Sequence, residues 1–346
     1  MRIKLLIVYA GVLMLVLVFS CSKTDRQKAA EPMSLNFPAG WPEPVYDFSG
    51  NPLTREGFEL GRKLFYDGKL SADGNFPCGS CHQQFAAFAT FDHDFSHGFN
   101  NQFTTRNAPG LYNLIWMSEF NWDGGINHIE VQPLAPLTAT NEMAETVENV
   151  VRKLKDDPEY PGMFAKAFGD KEIDSRKMLL ALTQFMGAMI SADSKYDKVK
   201  AGKAQFTHEQ EEGYAIFKAN CASCHTEPLF TDGSFRNNGL IKNPFTKDAG
   251  RMSITGKSED SLKFRVPSLR NLFLTFPYMH DGRFRTVTDV LNHYSDGITD
   301  SHTLDPLLKN GIPLTDVDKF YLLEFLRTLT DSSFIADKKF AEKRDN

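Results

Sequence analysis

Two short stretches, Cys78-Gly79-Ser80-Cys81-His82 and Cys221-Ala222-Ser223-Cys224-His225, share the pattern CxxCH and stand in opposite halves of the 346-residue chain. That spacing reads as a c-type haem attachment, with two thioether links to the porphyrin and an adjacent histidine as the fifth ligand of the iron. A chain with two such motifs is expected to fold around two covalent haems, one in each half. A zinc site built from the same four cysteines is the competing reading, but it gives no reason for a histidine directly after both pairs.

The N-terminus agrees with this chemistry. Arg2 and Lys4 precede an apolar run over residues 5–20, too short and wrongly flanked for a spanning helix, so residues 1–20 read as a cleaved signal. The run ends in Val18-Phe19-Ser20-Cys21, which resembles a bacterial lipoprotein signal whose cysteine, here Cys21, becomes the acylated N-terminus. This accounts for the fifth cysteine, whose alternative is a spare thiol on an unlipidated secreted protein. Covalent haem c is normally attached outside the cytoplasm, so the expected location is the periplasm, held to the cell envelope membrane through the lipid anchor only. Residues 21–46, with Pro32, Pro38, Pro42 and Pro44 among small and polar residues, are expected to form a tether without a core. Beyond them lie about 300 residues, enough for two domains of ordinary size. At 41% hydrophobic and 24% charged residues the composition is globular. The formal charge of −5 becomes −7 once Arg2 and Lys4 leave, which argues against nucleic acid and anionic membrane surfaces as partners.

The chain repeats itself once, loosely. Helix-like stretches precede both haem motifs, Thr54 to Phe65 in the first half and Thr207 to Phe217 in the second. Both open on a threonine N-cap candidate, and the second has the Thr-x-x-Gln form of a capping box. Glycines and apolar residues recur in both at helical spacing. A third pattern, from Leu314 to Leu326, has a cap, an acidic first turn and an apolar face, and suits the last helix of a cytochrome c domain. Two more helices are expected over residues 142–155 and 175–191, the second almost uniformly apolar and so buried, with its methionines as core rather than ligands. Few runs alternate as strands do. The fold class is mainly α: two cytochrome-c-like domains, each with one covalent haem c, over residues 47–195 and 196–335, with the boundary in the polar, lysine-rich segment 193–205.

Six ordered motifs accompany the haem sites: Leu60-Gly61-Arg62-Lys63-Leu64-Phe65, Arg106-Asn107-Ala108-Pro109, Asn121-Trp122-Asp123-Gly124, Gln132-Pro133 leading to Glu142-Met143, Val266-Pro267-Ser268-Leu269-Arg270-Asn271, and Pro277-Tyr278-Met279-His280-Asp281-Gly282. With them the chain resembles the bacterial di-haem cytochrome c peroxidase and MauG family over residues 38–331. The resemblance implies that the N-terminal domain is the peroxidatic one and the C-terminal domain the electron-transfer one. The peroxidatic haem then needs an open distal face and an acid–base group. Glu142 falls at the family's catalytic glutamate, and a carboxylate within hydrogen-bond reach can move a proton from one peroxide oxygen to the other. An expected place at the start of a helix would favour its anion through the helix dipole; position alone would make it a first-turn acid on a solvated face. Gln132 and Pro136 are expected to line the same pocket.

The resemblance assigns further residues. His97, in Ser96-His97-Gly98-Phe99, matches the distal histidine that occupies the sixth position of the peroxidatic haem in many resting members, across a two-residue alignment gap and with His93 nearby; a surface-loop histidine is the alternative. Trp122 aligns with the tryptophan between the two haems, expected as an electron relay rather than packing alone. Asn107, with the backbone carbonyls of Thr275 and Pro277, matches an interdomain calcium site, whose oxygen donors suit a hard cation, against an ordinary turn. His280, in the Pro-Tyr-x-His-Asp-Gly motif, is expected in the second shell of the second haem. Most peroxidases of the family place a methionine fourteen residues beyond that histidine, and methionine ligation raises the haem potential. Here that position is Tyr294, as in the methylamine-utilisation branch. A phenolate ligand would stabilise ferric and higher-valent iron; a core tyrosine beside a methionine-ligated haem is the alternative, with Met279 and Met252 nearby but out of register.

The expected function is a cytochrome c peroxidase reducing hydrogen peroxide to water with electrons from a small c-type cytochrome or cupredoxin. Its alternative is peroxide-dependent oxidation of a partner protein or other substrate through a high-valent bis-haem state, for which Tyr294 is the main support. A pure electron carrier of the same fold would want a strong sixth ligand on both irons and no distal acid, so Glu142 with Gln132 argues against it. Calcium and a homodimer are expectations of the resemblance only.

Overall fold

A computed structural model describes residues 29–343. The expected signal peptide, the lipidated Cys21 and the first part of the tether lie outside the described residues. The first half carries α1 (Arg55–Tyr66), α2 (Leu134–Thr138), α3 (Val147–Asp156), α4 (Tyr160–Phe168) and α5 (Ser175–Gly187). The second half carries α6 (Lys195–Lys200), α7 (His208–Asn220), α8 (Val287–Asn292), α9 (Asp316–Arg327) and α10 (Ser332–Ala336). Among the described residues the sheet content is one antiparallel ribbon, β1 (Phe235–Arg236) against β2 (Phe264–Arg265), with Phe235 opposite Arg265. The protein is therefore mainly helical. No helix among the described residues is long and apolar enough to cross a membrane.

The threonines read as caps are caps. The Thr54 hydroxyl accepts from the Gly57 amide at the start of α1, and Thr207 and Thr315 form capping boxes with Gln210 and Asp318 at α7 and α9. Each half then builds its core on one close helix crossing. A Cβ on Gly61 would lie 1.9 Å from the Ala181 carbonyl oxygen of α5, and a Cβ on Gly213 would lie 1.9 Å from the Tyr321 carbonyl oxygen of α9. The next contact is a phenylalanine Cβ in both cases, Phe185 at 2.9 Å and Phe325 at 2.8 Å. Thus α1 on α5 and α7 on α9 are the same arrangement made twice, each with its own hydrophobic core. Met178, Met186 and Met189 are all buried in the first of these.

The repetition reaches further than helices. Asn113 and Asn271 each stand four residues beyond a proline, Pro109 and Pro267. Both hold a left-handed φ, 56° and 58°, and both open a 3-10 turn. Asparagine visits that region more readily than most residues because its short amide bonds locally. Here the two amides meet in a buried polar knot where the halves join. Asn113 exchanges bonds of 3.0 and 2.9 Å with the backbone of Ser191, Asn271 donates to the Ser191 hydroxyl at 2.9 Å, and Asn271 accepts from the Asp331 amide at 2.8 Å.

Three boundaries differ from the sequence expectations. The helix expected from residue 142 begins at Val147, capped by Thr146, which leaves Glu142 in the turn after α2. The helix expected to reach residue 191 ends at Gly187, because Ser191 is drawn into the polar knot. The C-terminal domain limit of 335 also moves: Phe334 and Phe340 belong to the first core, and Arg62 and Tyr66 of α1 donate to the carbonyls of Lys339 and Phe340 at 2.5 and 2.9 Å. The end of the chain thus completes the N-terminal half by filling the aromatic face formed by Phe58, Phe88 and Phe185.

The described part of the expected tether is not a free linker. Met33, Leu35, Trp41 and Tyr46 pack on the first core, Trp116 donates to the Pro42 carbonyl at 2.7 Å, and Tyr46 donates to Glu130 at 2.7 Å. The prolines preset an extended backbone and the few large rings supply the burial, so a polar composition conceals a docked strap. Gly213→Ala is expected to destabilise the protein by about 1–3 kcal/mol through overpacking. Gly162→Ala, at an exposed position of α4 with no atom within 4 Å of its Cβ position, is the control expected to lose nothing. Urea unfolding of both variants checks this.

Candidate haem sites

Each CxxCH motif forms a turn at the wall of its own cavity, Cys78, Cys81 and His82 at one and Cys221, Cys224 and His225 at the other. None of the four cysteines is in a disulfide. Burial pushes the Cys78 and Cys221 thiols up to about 12, which favours their neutral thiol form. The two pairs face different cavities, and among the described residues no three His, Cys, Asp or Glu side chains converge as a metal site. The single four-cysteine zinc site has no geometric basis here.

The histidines are prepared alike. His82 Nδ1 lies 2.7 Å from the Phe88 carbonyl, and His225 Nδ1 lies 3.1 Å from the carbonyls of both Phe230 and Pro267. A carbonyl only accepts, so Nδ1 carries the proton and Nε2 keeps its lone pair. Burial also lowers the pKa of both rings, which keeps them neutral. Phe88 and Phe230, both fully buried, hold left-handed φ values of 59° and 56°. Such backbone is costly for a bulky residue, and here it aims the carbonyl that orients the imidazole. Paired thiols beside a neutral, oriented imidazole on an apolar cavity fit covalent haem in both halves.

The cavities differ in what faces the histidine. Beside His82 stand Gln132, Pro136, Glu142 and His97. Glu142 gains nothing from a helix dipole, because it lies in a turn rather than at the start of α3. Burial instead raises its pKa above the ordinary carboxylate value of 4.5. That gives the carboxylate a stronger hold on a proton, in the direction acid–base exchange needs. His97 is exposed, with Nδ1 2.8 Å from Asn101 Oδ1, and so sits at the cavity rim. Its loop approaches closely because residue 98 is glycine: a Cβ there would fall 2.3 Å from the Asn141 carbonyl, while the Phe99 amide donates to the Glu142 carbonyl at 2.7 Å.

Beside His225 stand Tyr294, Met279, Trp122, His280 and the three expected calcium-site residues Asn107, Thr275 and Pro277. Tyr294 follows α8 in a π-helical turn, His293–Gly297, a distortion frequent at functional sites. Burial pushes its phenol up to about 12. Met279 shares the cavity, and its sulfur lies 3.5 Å from the Asn238 amide nitrogen; Met252 does not line the cavity. His280 stacks on Phe264 at 3.6 Å, and burial lowers its pKa to about 4. Trp122 donates its indole N–H to the Asn107 carbonyl at 2.8 Å. The Asn107 amide nitrogen is engaged by the carbonyls of His93 and Asp94, which leaves Oδ1 as the oxygen a cation would take.

A family profile described as di-haem cytochrome c peroxidase matches residues 55–205. The chain is 34% identical over 294 residues to the methylamine utilization protein MauG of Methylorubrum extorquens, covering 83% of this chain and 82% of that one. It is also 34% identical over 250 residues to the cytochrome c551 peroxidase of Nitrosomonas europaea, covering 71% and 75%. The chain belongs to the di-haem cytochrome c peroxidase family. Membership implies haem c as cofactor. The fold agrees: a MauG-like protein associated with microbial copper homeostasis superposes with a TM-score of 0.82 at 33% identity, over 89% of this chain and 99% of that one. A di-haem peroxidase from Burkholderia thailandensis shares the fold with a TM-score of 0.71 at 22% identity, over 91% of this chain and 100% of that one.

Sequence reading missed the Phe88 and Phe230 carbonyls, Asn238 and Arg265. Backbone carbonyls leave no side-chain signal, and Asn238 reaches the second cavity from a loop and Arg265 from β2, both distant in sequence from the Cys221 motif. Peroxide reactivity of this family member is expected to fall as the pH drops through the raised pKa of Glu142, because the base is protonated below it. Glu142→Gln should abolish that limb and slow the reaction by about 10²–10⁴-fold. Stopped-flow absorbance across a pH series measures both effects.

Proposed function

We propose that the protein reduces hydrogen peroxide to water in the periplasm, taking two electrons from a small c-type cytochrome or cupredoxin and two protons per peroxide. The observation that carries this reading is the cavity shared by the His82 motif and Glu142, a carboxyl group with a raised pKa. Haem supplies an iron that reacts with peroxide and exchanges single electrons. In this reading His82 and His225 hold the two irons through Nε2, and the four motif cysteines carry the thioether links. Glu142 takes the proton from one peroxide oxygen and returns it to the departing one; Gln132 orients the peroxide and Pro136 shapes the pocket beside it. His97, at the rim, is the residue from which a displaceable sixth ligand would come. Trp122 relays electrons between the halves, and Asn107 with the Thr275 and Pro277 carbonyls holds a calcium ion between them. An acylated Cys21 would keep the chain at the membrane.

A second reading, peroxide-driven oxidation of a partner protein, is favoured by Tyr294 in the second cavity, where the peroxidases with a methionine carry a thioether. A tyrosine ligand lowers the potential at that site and suits the holding of oxidising equivalents rather than donor electrons. Steady-state peroxide turnover with a reduced small cytochrome separates the two readings. Fast turnover supports the peroxidase; negligible turnover, with oxidising equivalents stored after peroxide alone, supports the second reading and overturns the first. Tyr294→Met is expected to raise the potential of the second haem and change its ferric spectrum. An unchanged potential and spectrum would remove the tyrosine as a ligand.

A further inference from the structure

Arg265, on β2, lines the second cavity and is 9% exposed, yet its guanidinium forms no salt bridge; the Glu119 carboxylate acts on it only through space. Its side chain makes one hydrogen bond among the described residues, from Nε to the Asn121 carbonyl at 3.2 Å. The other arginines in this part of the fold are all paired: Arg270 forks onto Asp197, Arg106 bridges Asp123 and Asp248, and Arg236 bridges Asp232 and Asp305. Removing a guanidinium from water without an anion is strongly unfavourable. Burial alone is enough to lower the Arg265 pKa to about 10, with no nearby carboxylate offsetting it by a hydrogen bond. The two η nitrogens form the planar fork that matches a carboxylate with two parallel bonds.

We infer that Arg265 receives a carboxylate of the porphyrin bound at the second motif, pairing with a haem propionate and thereby setting the potential of that haem. This rests on the haem reading of Cys221, Cys224 and His225. Haem c carries its propionates on the edge away from its thioether links, and Arg265 enters the cavity from β2 rather than from the motif turn that carries the cysteines. A second observation ties the same residue to electron transfer. The Arg265 amide donates to the Trp122 carbonyl at 2.8 Å, and its Nε holds the preceding residue, Asn121. One residue therefore anchors the segment that carries Trp122 and presents a positive charge to the cavity Trp122 lines. Removing that charge leaves a propionate anion uncompensated beside the iron, which favours the ferric state and lowers the potential.

The test uses the full-length haem-loaded protein with Arg265→Gln and Arg265→Lys. Haem is counted per chain by the pyridine haemochrome assay, and each haem is titrated spectroelectrochemically. Two haems per chain are expected in every variant. In Arg265→Gln the second haem should lose about tenfold in its reduction equilibrium, ~59 mV for one electron, with the first haem unmoved. Arg265→Lys, which keeps the charge, should restore most of the shift, and the propionate bending band in resonance Raman spectra should move in the Gln variant only. Two haems with an unmoved second potential in Arg265→Gln overturn the pairing and leave the haem reading intact. So does an equal shift in both haems, which would mark a merely structural role. A native chain without covalent haem at Cys221 and Cys224 overturns the site reading together with the pairing.

Discussion

Two helix pairs approach so closely that a single methyl group would collide with a backbone carbonyl, and the arrangement of both halves depends on that closeness. At Gly61 and Gly213 the missing Cβ lets α1 lie on α5 and α7 on α9 with the following phenylalanine, Phe185 or Phe325, packed at the crossing. These helices bring their apolar faces together while the motif that follows α1 or α7 turns out against a cavity. Ridge-and-groove packing at such short range admits little variation, since interiors are packed as densely as organic crystals. A scaffold built this way can hold a flat, rigid cofactor in place, because its walls cannot yield independently.

On that common scaffold the two halves diverge where chemistry requires it. The proximal side is conserved between them in physical terms: a neutral imidazole, Nδ1 bonded to the carbonyl of a phenylalanine in left-handed backbone. The rest of each cavity lining is not. The first half presents a carboxyl group whose charge is disfavoured by burial, and the second presents a buried phenol from a π-helical turn. Under the proposed reading, the same preparation of the histidine with a different companion group in each cavity would let one fold assign different tasks to two copies of the same cofactor, because the groups around a haem govern access and potential.

The halves are joined by interactions that discourage relative motion. The buried knot of Asn113, Ser191, Asn271 and Asp331 has every side-chain amide engaged, Arg106 joins Asp123 to Asp248, and the N-terminal strap lays Trp41 between Trp116 and the buried Arg270 guanidinium. The chain's end returns to the first core through Phe334 and Phe340. Fully paired polar groups in a low-dielectric interior are expensive to separate. A fixed separation between the two cavities follows, and in the second of them Trp122 is itself tied to the Asn107 carbonyl.

The chain by itself determined the haem motifs, the family, the mainly helical class and the helices whose threonine caps and glycines are local signals. Those features are short-range: a cap acts over three residues and a CxxCH motif over five. Cavity membership was legible for Gln132, Pro136 and Glu142 through family resemblance, but the electrostatics of Glu142 was not, since a turn and a helix start look alike until Thr146 is seen to cap α3. Tertiary structure alone decided that the proline-rich strap docks, that Phe334 and Phe340 complete the distant half, and that Arg265 faces a cavity with no carboxylate hydrogen-bonded to its guanidinium. Each of these depends on which surfaces remain uncovered after the rest has packed, and burial and charge pairing across long sequence separations leave no periodicity or spacing to read.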